Sequence, residues 1–122
     1  MKRFYIILLY ILFSMNIFSQ ISYVSQDTYF IKVYQDNSII YSKFIQDVGT
    51  LIGFCENYIV TYKNGYYEFY DINGKKFLSK YIYSIGEITY IRSTGFVSIY
   101  NDYLYIFNIK GILIKKIYVQ KQ

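Results

Sequence analysis

The side chains that could carry chemistry are few and dispersed along this 122-residue chain. Histidine is absent and Cys55 is the only cysteine, which excludes a histidine general base, a cysteine–histidine nucleophile pair and a zinc site. The carboxylates show no calcium-loop or glycosidase-like spacing. They are Asp27, Asp36, Asp47, Glu56, Glu68, Asp71, Glu87 and Asp102. We therefore assign no catalytic, cofactor-binding or metal-binding residue and expect no cofactor. We expect a protein that is not an enzyme, with a carboxylate-based hydrolase as the enzymatic alternative.

The charged residues give little indication of a polyanion partner. The formal net charge is +5, and loss of Lys2 and Arg3 with an export segment would leave 11 basic and 8 acidic residues, or +3. This mild excess is spread along the chain, so we do not expect a nucleic-acid partner. We expect two lysine pairs to be solvated strand ends that restrain edge pairing. These pairs are Lys75–Lys76 and Lys115–Lys116.

The composition is typical of an all-β protein. Hydrophobic residues make up 54% of the chain and charged residues only 17%, which excludes intrinsic disorder. The apolar residues are mainly Ile, Tyr and Phe, which favour strands, whereas Ala is absent and Leu is sparse. The elements that position any functional surface are therefore expected to be strands.

The first 19 residues have the three parts of a secretory signal peptide. Lys2 and Arg3 precede an apolar run at 4–13, and we place the cleavage after Ser19, so that Gln20 begins the mature chain. An uncleaved membrane anchor at residues 4–18 is the alternative. As a helix the apolar run is only about 15 Å long, against about 30 Å of hydrocarbon. Either interpretation places residues 20–122 outside the cytoplasm, secreted or periplasmic.

A repeat of 37 residues runs through the remaining chain. Residues 59–82 align with 96–119 without a gap, and six pairs are identical. They are Val60/Val97, Asn64/Asn101, Tyr66/Tyr103, Ile72/Ile109, Gly74/Gly111 and Tyr81/Tyr118. Upstream, Gly49 aligns with Gly86, and Asn37 takes the place of the turn glycine, as expected for a left-handed backbone position. The units are approximately 20–48, 49–85 and 86–122.

Each complete unit is predicted to contain four short strands. We predict strands at 50–54, 58–63, 66–71 and 76–82, and again at 87–91, 95–100, 103–108 and 112–119. In the turn "DING", the Asp71 carboxylate is expected to accept a hydrogen bond from the backbone N–H two residues later, at Asn73. Gly74 is expected to adopt a positive φ. The first unit lacks one strand, because the counterpart positions 13–17 fall in the signal peptide. The chain thus holds about 2.75 units.

The strands are apolar on both sides, as in "YIVTY", "YLYIF" and "ILIKKIYV", so we expect both faces of each sheet to be covered by stacking on neighbours. With "FYDINGKKF" and "IFNIKGILI" as third strand, turn and fourth strand, the units resemble β-propeller blades. The tryptophan signatures of the large propeller families are absent, since the chain has no Trp. The resemblance implies tandem four-stranded antiparallel sheets that serve as a binding platform.

Propellers close with about four to eight blades, which is more than this chain holds. Several chains could complete a ring, or one chain could form an open stack. The chain could also be a fragment of a larger propeller with no independent function. The last residue falls one period after residue 85, at a unit boundary, which favours a self-contained array.

Cys55 and the recurring tyrosines each have a structural and a functional interpretation. Cys55 is expected to be a small buried strand residue, with an intermolecular disulfide as the alternative. Tyr29, Tyr66 and Tyr103 recur with the repeat and are expected to be an equivalent packing position, with a carbohydrate-stacking platform as the alternative. We thus expect an exported binding or assembly module whose ligand is unknown. Its partner would be another protein or a second copy, and a membrane only if the N-terminal segment is uncleaved.

Overall fold

Three antiparallel sheets make up the computed structural model, which describes residues 20–119. The first sheet consists of β1 (Tyr23–Gln26), β2 (Phe30–Gln35) and β3 (Ser38–Phe44). The second consists of β4 (Thr50–Phe54), β5 (Tyr58–Lys63), β6 (Tyr66–Asp71) and β7 (Lys76–Tyr81). The third consists of β8 (Glu87–Arg92), β9 (Gly95–Tyr100), β10 (Tyr103–Asn108) and β11 (Leu113–Tyr118). The chain is therefore an all-β protein of tandem, blade-like sheets, as predicted.

The strands predicted for the second and third units are confirmed to within one residue at each end. In both sheets the strands follow one another in chain order, so every hydrogen-bonded neighbour is also a sequence neighbour. The first sheet shows three strands among the described residues. The predicted signal peptide (1–19), the alternative anchor (4–18) and the missing-strand positions (13–17) lie outside the described residues.

Two four-residue helices, which the sequence patterns did not predict, connect the sheets. They are α1 (Ile45–Val48), between β3 and β4, and α2 (Ile82–Ile85), between β7 and β8. Each ends at a glycine with positive φ, 91° at Gly49 and 80° at Gly86. A Cβ atom at Gly49 would overlap the carbonyl oxygen of Tyr62, and one at Gly86 would overlap that of Ile99. The two aligned glycines thus let the chain turn closely over the second strand of the next sheet.

The first unit departs from the ungapped 37-residue alignment by one residue. The residue that opens the third strand of a unit pairs with one near the end of the fourth strand. These pairs are Phe30–Phe44, Tyr66–Tyr81 and Tyr103–Tyr118. The predicted equivalence of Tyr29 with Tyr66 and Tyr103 is therefore wrong, because Phe30 holds that position. Tyr29 lies in the turn before β2.

A shorter turn between β2 and β3 explains this one-residue shift. Only Asp36 and Asn37 separate these strands, whereas four residues separate β6 from β7. The positive φ of 54° falls on Asp36, so the left-handed position expected at Asn37 lies one residue earlier. Asp and Asn both tolerate this conformation. Side chains alternate along a strand, so each side chain of β1 and β2 lies on the face opposite to the one that the ungapped 37-residue alignment predicts for it.

Two hydrophobic clusters occupy the spaces between the sheets. The cluster between the second and third sheets contains Tyr58, Val60, Tyr67, Phe69, Ile85, Ile88, Phe96 and Phe107. The cluster between the first and second sheets contains Ile21, Val24, Ile31, Val33, Val48, Ile59 and Tyr70. Each core is thus shared by two consecutive sheets, which confirms that the units must stack in order to bury their apolar side chains.

Coverage of both faces is confirmed only for the second sheet. Tyr58, Ile59, Val60 and Thr61 are all fully buried, although their side chains alternate between the two faces. The expectation is wrong for "ILIKKIYV", since every residue of β11 is exposed. This strand is the outermost of a sheet with no neighbour on one side among the described residues.

Candidate functional site: the far face of the third sheet

In the second and third sheets, the near face points toward the preceding sheet and the far face points away from it. In the first sheet, the far face is the one that packs against the second sheet, and the near face is the opposite one. The cross-strand pairs Val24–Val33, Val60–Phe69 and Val97–Ile106 occupy equivalent places on the three far faces. Side chains two residues apart on a strand lie on the same face. Ile31, Tyr67 and Leu104 therefore share these faces with Val33, Phe69 and Ile106.

The first two far faces are buried and the third is not. On the first sheet Val24, Ile31 and Val33 pack against the second sheet. On the second, Val60 and Phe69 are fully buried and Tyr67 is 3% exposed. On the third, Val97, Leu104 and Ile106 are only half-buried. Their apolar or aromatic cross-strand neighbours on this face are exposed. They are Tyr90 (58%), Ile99 (44%) and Ile117 (37%). Two exposed charged residues border them on the same face, Lys115 opposite Ile106 and Glu87 opposite Ile99.

We call these six residues the third far face: Tyr90, Val97, Ile99, Leu104, Ile106 and Ile117. Residues that are consistently buried at one position of a repeat define a packing surface. The third far face holds apolar residues at those same positions but has nothing packed against it among residues 20–119. Large uncovered apolar surfaces occur at interaction sites and at aggregation-prone surfaces, so the third far face is the candidate functional surface.

We call the contact between the first and second sheets the first internal junction and that between the second and third sheets the second. In the first junction, Lys43 Nζ lies 4.7 Å from the ring centroid of Tyr70. In the second, Lys80 Nζ lies 5.5 Å from the ring centroid of Phe107. The lysines are 37 residues apart and so are the two rings. The same cation–π contact therefore recurs at both junctions.

A hydrogen bond from a backbone N–H group to a side-chain oxygen also recurs at both junctions, with a different acceptor residue each time. The N–H of Leu51 in β4 donates to Gln26 Oε1 at 2.8 Å. The N–H of Ile88 in β8, 37 residues later, donates to Tyr67 Oη at 3.2 Å. In each case the first strand of a sheet is held by a side chain of the preceding sheet. The junction is thus defined by position rather than by one residue type.

Tyr58 makes a further polar contact at the second junction. Its hydroxyl oxygen lies 2.6 Å from the carbonyl oxygen of Arg92 and 3.0 Å from that of Gly95. Its side chain is fully buried, and this burial raises the pKa of Tyr58 well above its ordinary value. The neutral hydroxyl therefore serves as a donor to the β8–β9 turn.

The first junction contains three buried polar atoms without a hydrogen-bond partner among the described residues. They are Tyr41 Oη, Thr61 Oγ1 and Glu68 Oε2. Glu68 retains an ion pair, because Lys76 Nζ lies 3.7 Å from its Oε2 atom. Burial is the main cause that raises the pKa of Tyr41 far above its ordinary value. This junction is accordingly less well satisfied than the second one.

Two of the carboxylates that the sequence offered serve local turns. Asp71 serves its turn as predicted, because its Oδ1 accepts from the N–H groups of Asn73 at 2.9 Å and Lys75 at 3.0 Å. Asp27 accepts from the N–H groups of Tyr29 and Phe30, and these bonds lower the pKa of Asp27. Among residues 20–119 no group of three or more acidic or cysteine side chains is placed to hold a metal ion.

Cys55 lies just after β4 instead of within a strand, and it is half-buried rather than fully buried. Its Sγ–H donates to Asn57 Oδ1 at 3.0 Å, and burial raises the pKa of the Cys55 thiol. The expectation of a buried strand residue is therefore wrong in its details. The thiol is also less reactive than a free one, since the thiolate is disfavoured.

The recurring aromatic position is a packing position, as expected, once Phe30 replaces Tyr29. The rings of Tyr66 and Tyr81 lie 4.9 Å apart, and those of Tyr103 and Tyr118 lie 5.4 Å apart. Each is a cross-strand aromatic pair that ties the outer strand to its neighbour. All four lysines of the predicted solvated pairs are exposed, as expected. They are Lys75, Lys76, Lys115 and Lys116. The prediction that they are strand ends holds for Lys76, which begins β7, but is wrong for Lys115 and Lys116, which lie in the middle of β11.

An open groove of about 230 Å³ separates the first strands of the second and third sheets. It is lined by residues of β4 and β8, among them Ile52, Phe54 and Tyr90. Thr89 also lines the groove, and Thr89 Oγ1 donates to the carbonyl of Val97 at 3.4 Å. The Thr89 hydroxyl is thus already engaged within the third sheet.

Comparison with known proteins identifies no relative. No protein-family model, no curated protein and no solved structure matches the chain. Within residues 20–119, neither α1 nor α2 has the length or apolar content of a membrane-spanning helix. The third far face remains the candidate functional surface. Sequence reasoning missed it, because its residues alternate with equally apolar ones and only their lack of cover distinguishes them.

Proposed function

We propose that the chain is an exported, non-enzymatic protein of the β-propeller type that works as an assembly module. In this proposal the third far face receives a further β-sheet from another polypeptide. One observation carries the proposal: Val97, Leu104 and Ile106 are uncovered, whereas their counterparts on the second sheet are buried to 3% exposure or less.

The chemistry of the surface supports association through the face of the sheet. Burial of apolar surface stabilises a complex by about 25 cal/mol per Å², and the six apolar or aromatic residues of the third far face form a group that Lys115 and Glu87 border on the same face. One edge of the sheet, in contrast, is β11, which carries Lys115 and Lys116. Lysines on an edge strand oppose the addition of another strand. Stacking is therefore favoured over strand pairing along β11.

The alternatives predict different behaviour in solution. A fragment of a larger propeller would form polydisperse aggregates through its exposed apolar residues. A carboxylate-based hydrolase would need two converging acidic side chains and should lose its activity when that pair is neutralised. A carbohydrate platform would have to use the parts of the recurring tyrosine rings that stay exposed beside their cross-strand partners, such as Tyr66, which is 46% exposed.

Solution mass tests the proposal. We would purify the exported chain and measure its mass by size-exclusion chromatography with light scattering over a range of concentrations. We expect a discrete assembly of more than one chain. The substitution Leu104→Lys should reduce the mass to that of one chain, because a buried lysine would have to be desolvated. The control is Tyr83→Lys, at an exposed residue of α2, which should change nothing.

Two outcomes would contradict the proposal. One is a wild-type chain that stays monomeric at every concentration. The other is a polydisperse aggregate that Leu104→Lys does not dissolve, which would instead support the fragment interpretation. Circular dichroism of each variant would verify that its strand content is unchanged.

A further inference from the structure

Among residues 20–119, no sheet packs against the near face of the first sheet, which resembles the near faces that lie within the internal junctions. Tyr23 pairs with Tyr34 across β1 and β2, and their ring centroids lie 5.4 Å apart. Tyr23 is 55% exposed. Both rings point away from the second sheet, because they alternate with Val24 and Val33, which pack against it.

The equivalent near-face pairs of the other two sheets are both buried. In the second sheet the pair is Ile59 with Tyr70, and in the third it is Phe96 with Phe107. All four of these side chains are 8% exposed or less. Each pair covers the far face of the sheet before it. The first sheet thus displays at Tyr23 and Tyr34 the kind of surface that a far face receives.

We infer that the chain associates head to tail with a second copy of itself. The near face of the first sheet in one copy covers the third far face of another copy. The inference rests on the proposed assembly function and names its partner. The two internal junctions provide the geometry, since each joins one far face to one near face.

Head-to-tail contact is favoured over contact between two identical faces. The equivalent cross-strand pairs of the two faces differ, because each far-face pair joins Val to Val, Phe or Ile, whereas each near-face pair places an aromatic ring beside a β-branched or aromatic residue. No junction in residues 20–119 joins two far faces or two near faces. A contact between unlike faces is heterologous, and it produces a ring if the rotation closes and a filament if it does not.

One difference from the internal junctions predicts the character of the contact. Lys43 and Lys80 place their cations over a near-face ring, and Ile117 occupies the equivalent position on the third far face. In the contact between copies, an apolar side chain would therefore face Tyr34. The contact lacks that cation–π interaction and depends on apolar burial. Its charged neighbours are Lys115 on the far face and Lys32 on the near face, and salt screens the repulsion between like charges, so salt should not weaken the contact.

Two variants, each blocked at one end, test the inference. Tyr23→Lys removes the near face of the first sheet and retains the third far face, whereas Leu104→Lys does the reverse. We expect each exported variant alone to be monomeric. Mixed in equal amounts, they should form a dimer of two chains and nothing larger, because only one intact face of each kind is available. The dimer should persist at high salt.

The outcomes separate this inference from the proposed function. If Tyr23→Lys alone assembles as the wild type does while Leu104→Lys does not, two far faces pair with each other. That result would overturn the head-to-tail arrangement and leave the assembly function standing. If the wild type itself stays monomeric, both fail. Tyr34→Ser provides a second near-face block, should Tyr23→Lys lose its strand content.

Discussion

The hydroxyl of Tyr58 lies 3.0 Å from the carbonyl oxygen of Gly95, the residue that stands at its own position one repeat later. Tyr58 begins β5 and Gly95 begins β9. The same position of the repeat thus provides a donor in one sheet and an acceptor in the next. This contact joins consecutive sheets at the start of their second strands, where the apolar cores leave backbone carbonyls to be satisfied.

Removal of this hydroxyl should destabilise the fold. We expect Tyr58→Phe to lower the free energy of unfolding by about 1–2 kcal/mol, because it leaves buried carbonyl groups without their donor. The matched control is Tyr41→Phe, since Tyr41 Oη is buried without a hydrogen-bond partner among the described residues. That change should be neutral or slightly stabilising. Urea denaturation measures both, and equal losses would contradict the assignment.

The glycine that ends α2 should not tolerate a side chain. Gly86 combines a φ of 80° with a ψ of −161°, a conformation that costs other residues about 1–3 kcal/mol. Gly86→Ala also places a Cβ against the carbonyl oxygen of Ile99, so we expect a loss at the upper end of this range. Gly53→Ala is the control, because there a Cβ meets only the end of the flexible Ile91 side chain. Thermal unfolding should rank Gly86→Ala as the more harmful change.

The chain itself contains the control for its "DING" turn. Asn108 occupies the equivalent position and accepts from the N–H groups of Lys110 and Ile112 as Asp71 does from its own turn. We therefore expect Asp71→Asn to keep the stability of the wild type. Asp71→Ala should lower the free energy of unfolding by about 1 kcal/mol, since two backbone donors lose their acceptor. Indistinguishable denaturation curves for the two variants would show that the turn does not depend on this side chain.

Stability should decline at alkaline pH. Burial raises the pKa of Tyr58, Tyr67 and Tyr70 above the ordinary value of 10.0. In the unfolded chain these hydroxyls lose their protons near pH 10, before the folded chain does, so the unfolded state binds fewer protons. The contribution of these hydroxyls to the free energy of unfolding is fully present below about pH 10. It declines as the pH rises from there toward the higher pKa values of the folded chain. Urea denaturation from about pH 8 to about pH 11 would measure the decline.

The alkaline decline has its own control. Tyr58→Phe removes one of the titrating groups, so its free energy of unfolding should fall less steeply with pH than that of the wild type. Tyr29→Phe, at a residue that is 63% exposed, should reproduce the wild-type slope. A wild-type curve that stays flat through pH 10 would contradict the prediction.

The exported chain should begin at Gln20. The basic residues, apolar run and small residues of 1–19 are those of a cleaved signal peptide. Intact-mass spectrometry of the protein recovered from outside the cytoplasm measures this directly. A mass that retains residues 1–19, together with membrane association, would instead support the anchor at residues 4–18.

Much of the fold could be predicted because its signals are local. Runs of β-branched and aromatic residues between turn residues mark the strands of the second and third units, and Asp71 with Gly74 predicts its own turn. The two helices were not predicted because four residues carry too little periodicity to be recognised. The candidate site could not be predicted either. Leu104 and Ile106 look like ordinary strand residues until the neighbours of their sheet are known.

The sequence by itself determined the all-β class, the strand positions in two units and the period of the repeat. Turn chemistry and the strand preference of β-branched and aromatic residues act over only a few residues, so they can be read without the tertiary structure. Tertiary structure decided two things. It placed Phe30 instead of Tyr29 opposite the fourth strand, because cross-strand pairing and burial fix the register. It also left the third far face and the Tyr23–Tyr34 pair uncovered, because burial depends on which sheet packs alongside and not on the residues of one strand.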